Sequence, residues 1–329
     1  MRVFVAGASG AIGSRLVPQL IDRGHEVIGT FRSPRNAERV RALGAEPIAV
    51  DLLDPRAVRT AVLESEPEAI VHQATALADV RFSRNFDRSF AQTNRLRTEG
   101  TDALLAAARE AGVRRFVAQS FASLRHARAG GPVKTEDDPL DPSPLPAMRE
   151  SAAAMRYLDQ AVTDAGGIAL RYGGFYGAPN DGLIEPVRRR QFPIVGDGDG
   201  VFSFIHLDDA AAATVLALEH GGAGIYNVVD DEPAPVREWL PVLASALGAK
   251  PPRHVPRWLA RLLAGEVAVM IGTESSGASN AKAKRELGWT PRHPSWREGF
   301  VAVYASPTPT DGRASDHPAR TSHAPTLQG

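Results

Sequence analysis

The chain has 329 residues, too many for a mini-protein that depends on staples and enough for one large α/β domain or two modest ones. Its 38 Lys and Arg balance 38 Asp and Glu, so no basic excess exists to grip a phosphate backbone, and nucleic acid is not an expected partner. The absence of cysteine rules out disulfides, thiolate metal sites and a Cys nucleophile, and fits a reducing compartment, with the cytoplasm as the default location. No membrane partner is expected either. The least polar late stretch, 258–272, carries Arg261 and Glu266 and falls short of the ~20 apolar residues of a span.

Residues 2–6 are a short β-branched and apolar run that ends in glycines, and 11–21 then carry helical spacing at Ile12, Leu16 and Leu20. The alternation repeats with strands predicted at 26–31, 47–50, 69–72, 116–119 and 168–171. Helices are expected near 36–43, 56–63, 86–111 and 147–164. Strands separated by helices imply a doubly wound parallel sheet with helices on both faces. Residues 128–146, rich in Gly, Pro and Asp, read as an irregular surface segment. After Tyr172 the alternation fails. The expected organisation is a doubly wound domain over 1–172, whose last elements interleave near 202–230, a smaller lobe over 173–305, and a polar, disordered tail over 306–329.

Val5 to Gly13 reads V-A-G-A-S-G-A-I-G between a strand and a helix. In such a turn the first glycine permits the sharp bend, the second lets a pyrophosphate approach the backbone, and the third lets the helix pack on the strand. The helix N-terminus then faces the anion. Gly7, Ser9, Gly10, Ala11, Ile12 and Gly13 are therefore candidate dinucleotide contacts. After the second strand, where a carboxylate would take the ribose of NAD, the chain has Phe31 and Arg32, with Arg35 nearby. A guanidinium suits the 2′-phosphate of NADP, which makes NADP the expected cofactor with NAD as the alternative; the competing reading is a solvated arginine. Asp51 and Leu52 sit where an adenine edge is read, unless Asp51 only caps the next helix.

These residues, in this order, resemble the extended short-chain dehydrogenase/reductase family, also called the NAD-dependent epimerase/dehydratase family. Support comes from the glycine turn, Asp51-Leu52, V-H-Q-A at 71–74, the run 114–120, L-R-Y-G-G-F-Y-G from Leu170, F-I-H-L-D-D-A-A from Phe204, and A-K-R-E-L-G-W-T-P from Ala283. The resemblance covers nearly the whole chain to about residue 304. It implies a Rossmann fold, a bound dinucleotide contacted also by Gln73, Ala74, Thr75 and Arg97, a small-molecule substrate and a homodimer paired through the helices at 86–111 and 147–164.

Members of that family use a Ser or Thr after the fifth strand and a Tyr-x-x-x-Lys pair on the next helix, the tyrosine exchanging the hydroxyl proton. Laid on this pattern, the Ser/Thr position falls on Phe121, the Tyr and Lys positions on Met148 and Ala152, and an Asn of the long helix on Arg97. The chain thus resembles a divergent member, in which the acid comes from elsewhere or from bound water, or is unnecessary because the bound nicotinamide does not turn over. Ser120, Ser123 and Tyr172 are the candidates, with His126 and Tyr176 behind them; their plain alternatives are caps, a surface histidine and core packing. Arg97 brings positive charge suited to an enolate or carboxylate, against the alternative of a solvated helix face. His206, Asp208 and Asp209 read as a strand-to-helix junction capped by one of the aspartates, and no metal is predicted. The expected activity is an NAD(P)-dependent oxidoreductase acting on an organic carbonyl or alcohol. The alternatives are a non-redox isomerase, cyclase or dehydratase that keeps its dinucleotide, and a cofactor-sensing binding protein.

Overall fold

A computed structural model describes residues 1–77, 84–127, 129–178 and 182–305. The tail expected at 306–329 lies outside them. Seven parallel strands form one sheet: β1 (Arg2–Ala6), β2 (Glu26–Phe31), β3 (Glu46–Ala49), β4 (Ala69–His72), β5 (Arg115–Phe121), β6 (Ile168–Tyr172) and β7 (Gly224–Val228). They are ordered β7-β6-β5-β4-β1-β2-β3. The winding direction reverses between β1 and β4, which opens a crevice at their carboxyl ends, the place where such sheets bind ligands.

The helices cover both faces. On one lie α1 (Gly13–Asp22), α2 (Pro34–Ala42) and the later Leu207–His220 helix; on the other lie α3 (Pro55–Ser65), α4 (Phe86–Arg95), α5 (Thr101–Glu110) and α6 (Arg149–Asp164). Val3, Val5, Leu16, Val117 and Leu170 fill the first layer, and Phe4, Ile70, Val62, Leu104 and Leu158 the second, all almost fully buried. Each residue of this kind contributes about 1.5–3 kcal/mol by leaving water.

The long helix expected at 86–111 is interrupted by a π-helical turn, Leu96–Gly100, between α4 and α5. The Thr98 hydroxyl donates to the Asn94 carbonyl at 3.1 Å, competing with the backbone ladder, and Gly100 lies over Leu52. Such turns concentrate at functional sites. The segment expected to be irregular at 128–146 contributes a short strand, Val133–Lys134, paired in parallel with Gly277–Ala278. Beyond β6, the lobe packs Phe204, Trp239, Trp296 and Phe300 into a separate aromatic core. Among the described residues no helix is long and apolar enough to cross a membrane.

Candidate active site

The glycine turn is built as a cradle. Gly7 has φ +93°, a conformation that favours glycine, and a Cβ there would stand 2.8 Å from the Ala74 nitrogen. Its N–H donates to the Thr30 hydroxyl at 3.0 Å, which locks the end of β1 to β2. A Cβ on Gly13 would collide with the carbonyl of Gly7 and come within 2.6 Å of that of Ala8, so α1 starts close under the turn. Gly10 differs: it is exposed, and a Cβ would meet only the Gly7 carbonyl at 3.2 Å. No side chain caps α1, whose N-cap is Ile12; the amides of Ser14 and Arg15 bond back to the carbonyls of Gly10 and Ile12, and the positive end of the dipole stands beside exposed Gly10 and Ala11. This cradle fits a dinucleotide pyrophosphate. Ile12 itself is buried in the core and Ser9 is half-buried, so Ile12 offers a ligand only backbone.

At the end of β2, Phe31 is half-buried and Arg32 exposed. Arg35, Arg39 and Arg41 of α2 are exposed as well. Asp51 is exposed and its carboxylate accepts from the Leu53 amide at 3.0 Å; the cap of α3 is Asp54, bonded to the amides of Arg56 and Ala57. Asp51 therefore does not cap that helix. Leu52 is buried, with its backbone under the π turn. Past β4, Gln73 is buried and donates to the Tyr172 hydroxyl at 3.2 Å while its Oε1 has no partner; Ala74 and Thr75 are half-buried beside the glycine turn.

The Tyr172 phenol is fully buried, accepts from Gln73 and shares a 2.6 Å hydrogen bond with Thr214; burial pushes its pKa up to about 12. It is a core hydrogen-bond group, and the expectation that it donates a proton to substrate finds no geometric support. Tyr176 is also buried, its hydroxyl unpartnered and its pKa raised by burial and by Asp230 and Asp209, inside the lobe's core. Ser120 accepts from Arg125 Nη1 at 3.2 Å and is almost fully buried; Ser123 is buried with a free hydroxyl. His126 does not titrate near neutrality: burial, then Arg171 and Arg125 beside it, push it down to about 4. Phe121 is half-buried, while Met148 packs on Phe86 and Val267 and Ala152 is buried on α6.

Several residues that sequence reasoning passed over organise this region. Asp87 of α4 accepts from the amides of Glu150 and Ser151 and from the Ser151 hydroxyl, at 3.0, 2.8 and 2.7 Å, capping α6 from a neighbouring helix. Beneath it, Asp159 accepts from Arg125 Nη2 and from Arg171 Nε at 2.8 Å, a buried carboxylate between two buried guanidinia. Arg97 projects from the π turn toward this pair and is likewise buried, not solvated. The signals were a charge inside the strand I-A-L-R-Y and an Asp on the buried stripe of α6. The 206–209 junction also departs from expectation, since His206 Nδ1, not an aspartate, accepts the Asp208 amide and caps the helix. Asp209 instead accepts from the amides of Arg292 and His293, both at 2.8 Å.

His72, which closes β4, donates to the Leu96 carbonyl at 3.2 Å and is pushed down to about 4, chiefly by burial. Both His72 and His126 are thus depressed below the ordinary value of 6.5. Below that value the unfolded chain takes up protons that the folded one refuses, so their contribution to stability is complete above pH 6.5 and is lost as pH falls toward 4. Thermal unfolding from pH 7.5 to 4.5 checks this, and His72→Gln should flatten the acid side of the profile.

The family model for the NAD-dependent epimerase/dehydratase family matches residues 3–228. The chain belongs to that family. Among its relatives, a Streptomyces protein named 3-diazoavenalumate denitrifying reductase is 44% identical over 308 residues, covering 91% of this chain and 99% of the relative. A Stigmatella aurantiaca ketoreductase of a farnesylated dihydroquinoline-1-oxide is 28% identical, covering 89% and 92%. The solved UDP-glucose 4-epimerase of Thermus thermophilus, in complex with NAD, superposes with a TM-score of 0.70 at 26% identity, covering 92% and 98%. The protein is accordingly an oxidoreductase-like enzyme of this family that acts on a small organic substrate.

Proposed function

We propose that the enzyme is an NADPH-dependent reductase whose hydride acceptor needs no side-chain acid, and that removal of a diazo group from an organic substrate is the reaction that suits it best. One observation carries this reading: on the family pattern the proton-handling positions are Phe121, Met148 and Ala152, none of which titrates, and the nearby Tyr172 and Ser120 hydroxyls are engaged in internal hydrogen bonds. The dinucleotide, when bound, supplies a hydride, and at a carbon that loses dinitrogen with its bonding pair this hydride completes the product with no proton taken up. The Streptomyces relative of 44% identity is named for a denitrifying reduction, which supports the same reading.

The chain's own residues do the rest. The turn from Gly7 to Gly13 holds the pyrophosphate, Gln73 to Thr75 line the crevice, and Arg32 with Arg35 takes the 2′-phosphate. Half-buried Phe121 presents apolar surface that keeps water from the reacting carbon. The reading includes a cytoplasmic enzyme, paired as a homodimer through the outer faces of α4 and α6, where Tyr157 is 42% exposed.

With NADPH deuterated at C4 and an aryl diazonium substrate, the label should appear at the ring carbon with release of N2, and deuterated water should contribute none. Label drawn from solvent would overturn the reading. Arg32→Ala should weaken NADPH binding by about 10–100-fold, the equivalent of one charge-assisted contact, and leave NADH nearly unaffected.

A further inference from the structure

Arg97, Arg125 and Arg171 are all at least nine-tenths buried at the carboxyl ends of β4, β5 and β6, against one fully buried carboxylate, Asp159. Asp159 is already occupied by Arg125 and Arg171. Arg97 feels the same carboxylate only at longer range, and its Nε has no hydrogen-bond partner among the described residues. Among the cluster's atoms without a partner, Arg97 Nε, Arg125 Nε, Arg171 Nη1 and the Ser123 hydroxyl are donors, against one acceptor, Asp159 Oδ1. Glu136 also faces Arg171, but it is shared with Lys282 and the Asn227 amide, and His126 stays neutral; even with Glu136 charged, cations exceed anions. Burial pushes Arg97 and Arg125 down only to about 10, so both remain charged at neutral pH.

Buried charge of one sign in excess, with donors left over, is costly for a structural network and matches a missing acceptor-only anion. The position supports the same conclusion. Leu96 and Arg97 lie level with the last residue of β4, since His72 bonds to the Leu96 carbonyl, and Ser120 on β5 and Arg171 on β6 stand in register. The cluster therefore borders the crevice that begins at the glycine turn. We infer that Arg97, Arg125 and Arg171 form a carboxylate-binding site, and that the substrate is an organic acid whose carboxylate is seated on Arg97. That the anion is the substrate rests on the reductase reading; the site itself does not.

The test uses the full chain, with and without saturating NADP⁺, and two carboxylates of different shape, cinnamate and hexanoate, each beside its primary amide. Calorimetry should give at least tenfold tighter binding of one or both carboxylates than of the matching amide in the wild type. Arg97→Met should erase that difference and raise the melting temperature of the ligand-free protein, because it removes an uncompensated buried cation. Arg97→Lys should keep part of the preference. Carboxylate and amide binding equally, or a preference that survives Arg97→Met, would overturn the site. So would an Arg97→Met variant that melts lower, since that would make the arginine an ordinary structural partner. A carboxylate preference in a protein that transfers no hydride from NADPH would leave the anion site standing and reject the reductase reading.

Discussion

Gly10→Asp should weaken dinucleotide binding by more than 100-fold while the protein stays folded, with a melting temperature within a few degrees of wild type. The residue is exposed, has no positive φ, and has space around its Cβ apart from one carbonyl at 3.2 Å, so the backbone accepts a side chain. A carboxylate there would lie at the start of α1, which no side chain caps and where the helix dipole favours an anion, and would occupy the pyrophosphate's place with its own charge. Gly13→Ala supplies the contrast. Its new methyl would overlap the carbonyls of Gly7 and Ala8, and overpacking of that kind typically costs about 1–3 kcal/mol, so it should lower stability as well as binding. Fluorescence titration with NADPH beside urea unfolding separates the two. Unchanged affinity in folded Gly10→Asp would refute the assignment of this turn to the pyrophosphate.

The sheet was legible because each strand of a buried parallel sheet is a short apolar run: V-F-V-A stops at Gly7, and A-I-V-H follows the polar Glu66-Pro67-Glu68. Element ends moved by a residue or two, as at β5, which starts at Arg115 and ends at Phe121. The π turn was not legible: residues 86–111 keep helical spacing throughout, and the Thr98 hydroxyl that competes for the Asn94 carbonyl at the break leaves no mark in that spacing. The glycine cradle could be read because it is local. The cluster of Asp159, Arg125 and Arg171 could not, since its members come from a helix, a loop and a strand, and only the register of β5 with β6 brings them together. Arg97 has two opposed readings from sequence, and burial decides against the solvated one. For Tyr172 burial decides the other way: its place at a strand's carboxyl end suggests the crevice, whereas its side chain points to the Leu207–His220 helix and Thr214.

Asp159→Leu should lower stability by about 3–5 kcal/mol, the largest single-site loss expected outside the aromatic core, because it strands buried guanidinia without a counterion. Arg125 would keep its bonds to the Ser120 hydroxyl and the Phe121 carbonyl, at 3.2 and 2.9 Å, but neither carries charge. Arg171, near the carboxyl end of β6, would lose both of its ion-pair contacts to Asp159 Oδ2. The loss is a statement about broken pairing and not about the net worth of the network, since replacing a whole buried ionic group with apolar residues is often neutral or stabilising. A second substitution therefore discriminates. If Arg97 adds uncompensated charge to the same pocket, Arg97→Met should restore part of the stability lost in Asp159→Leu, and the two changes should be non-additive, as expected of groups within one electrostatic network. Urea unfolding of the single and double variants measures the coupling. Strict additivity would mean that Arg97 does not share the pocket's charge balance, and a loss below about 1 kcal/mol for Asp159→Leu would mean that water reaches the guanidinia and screens them.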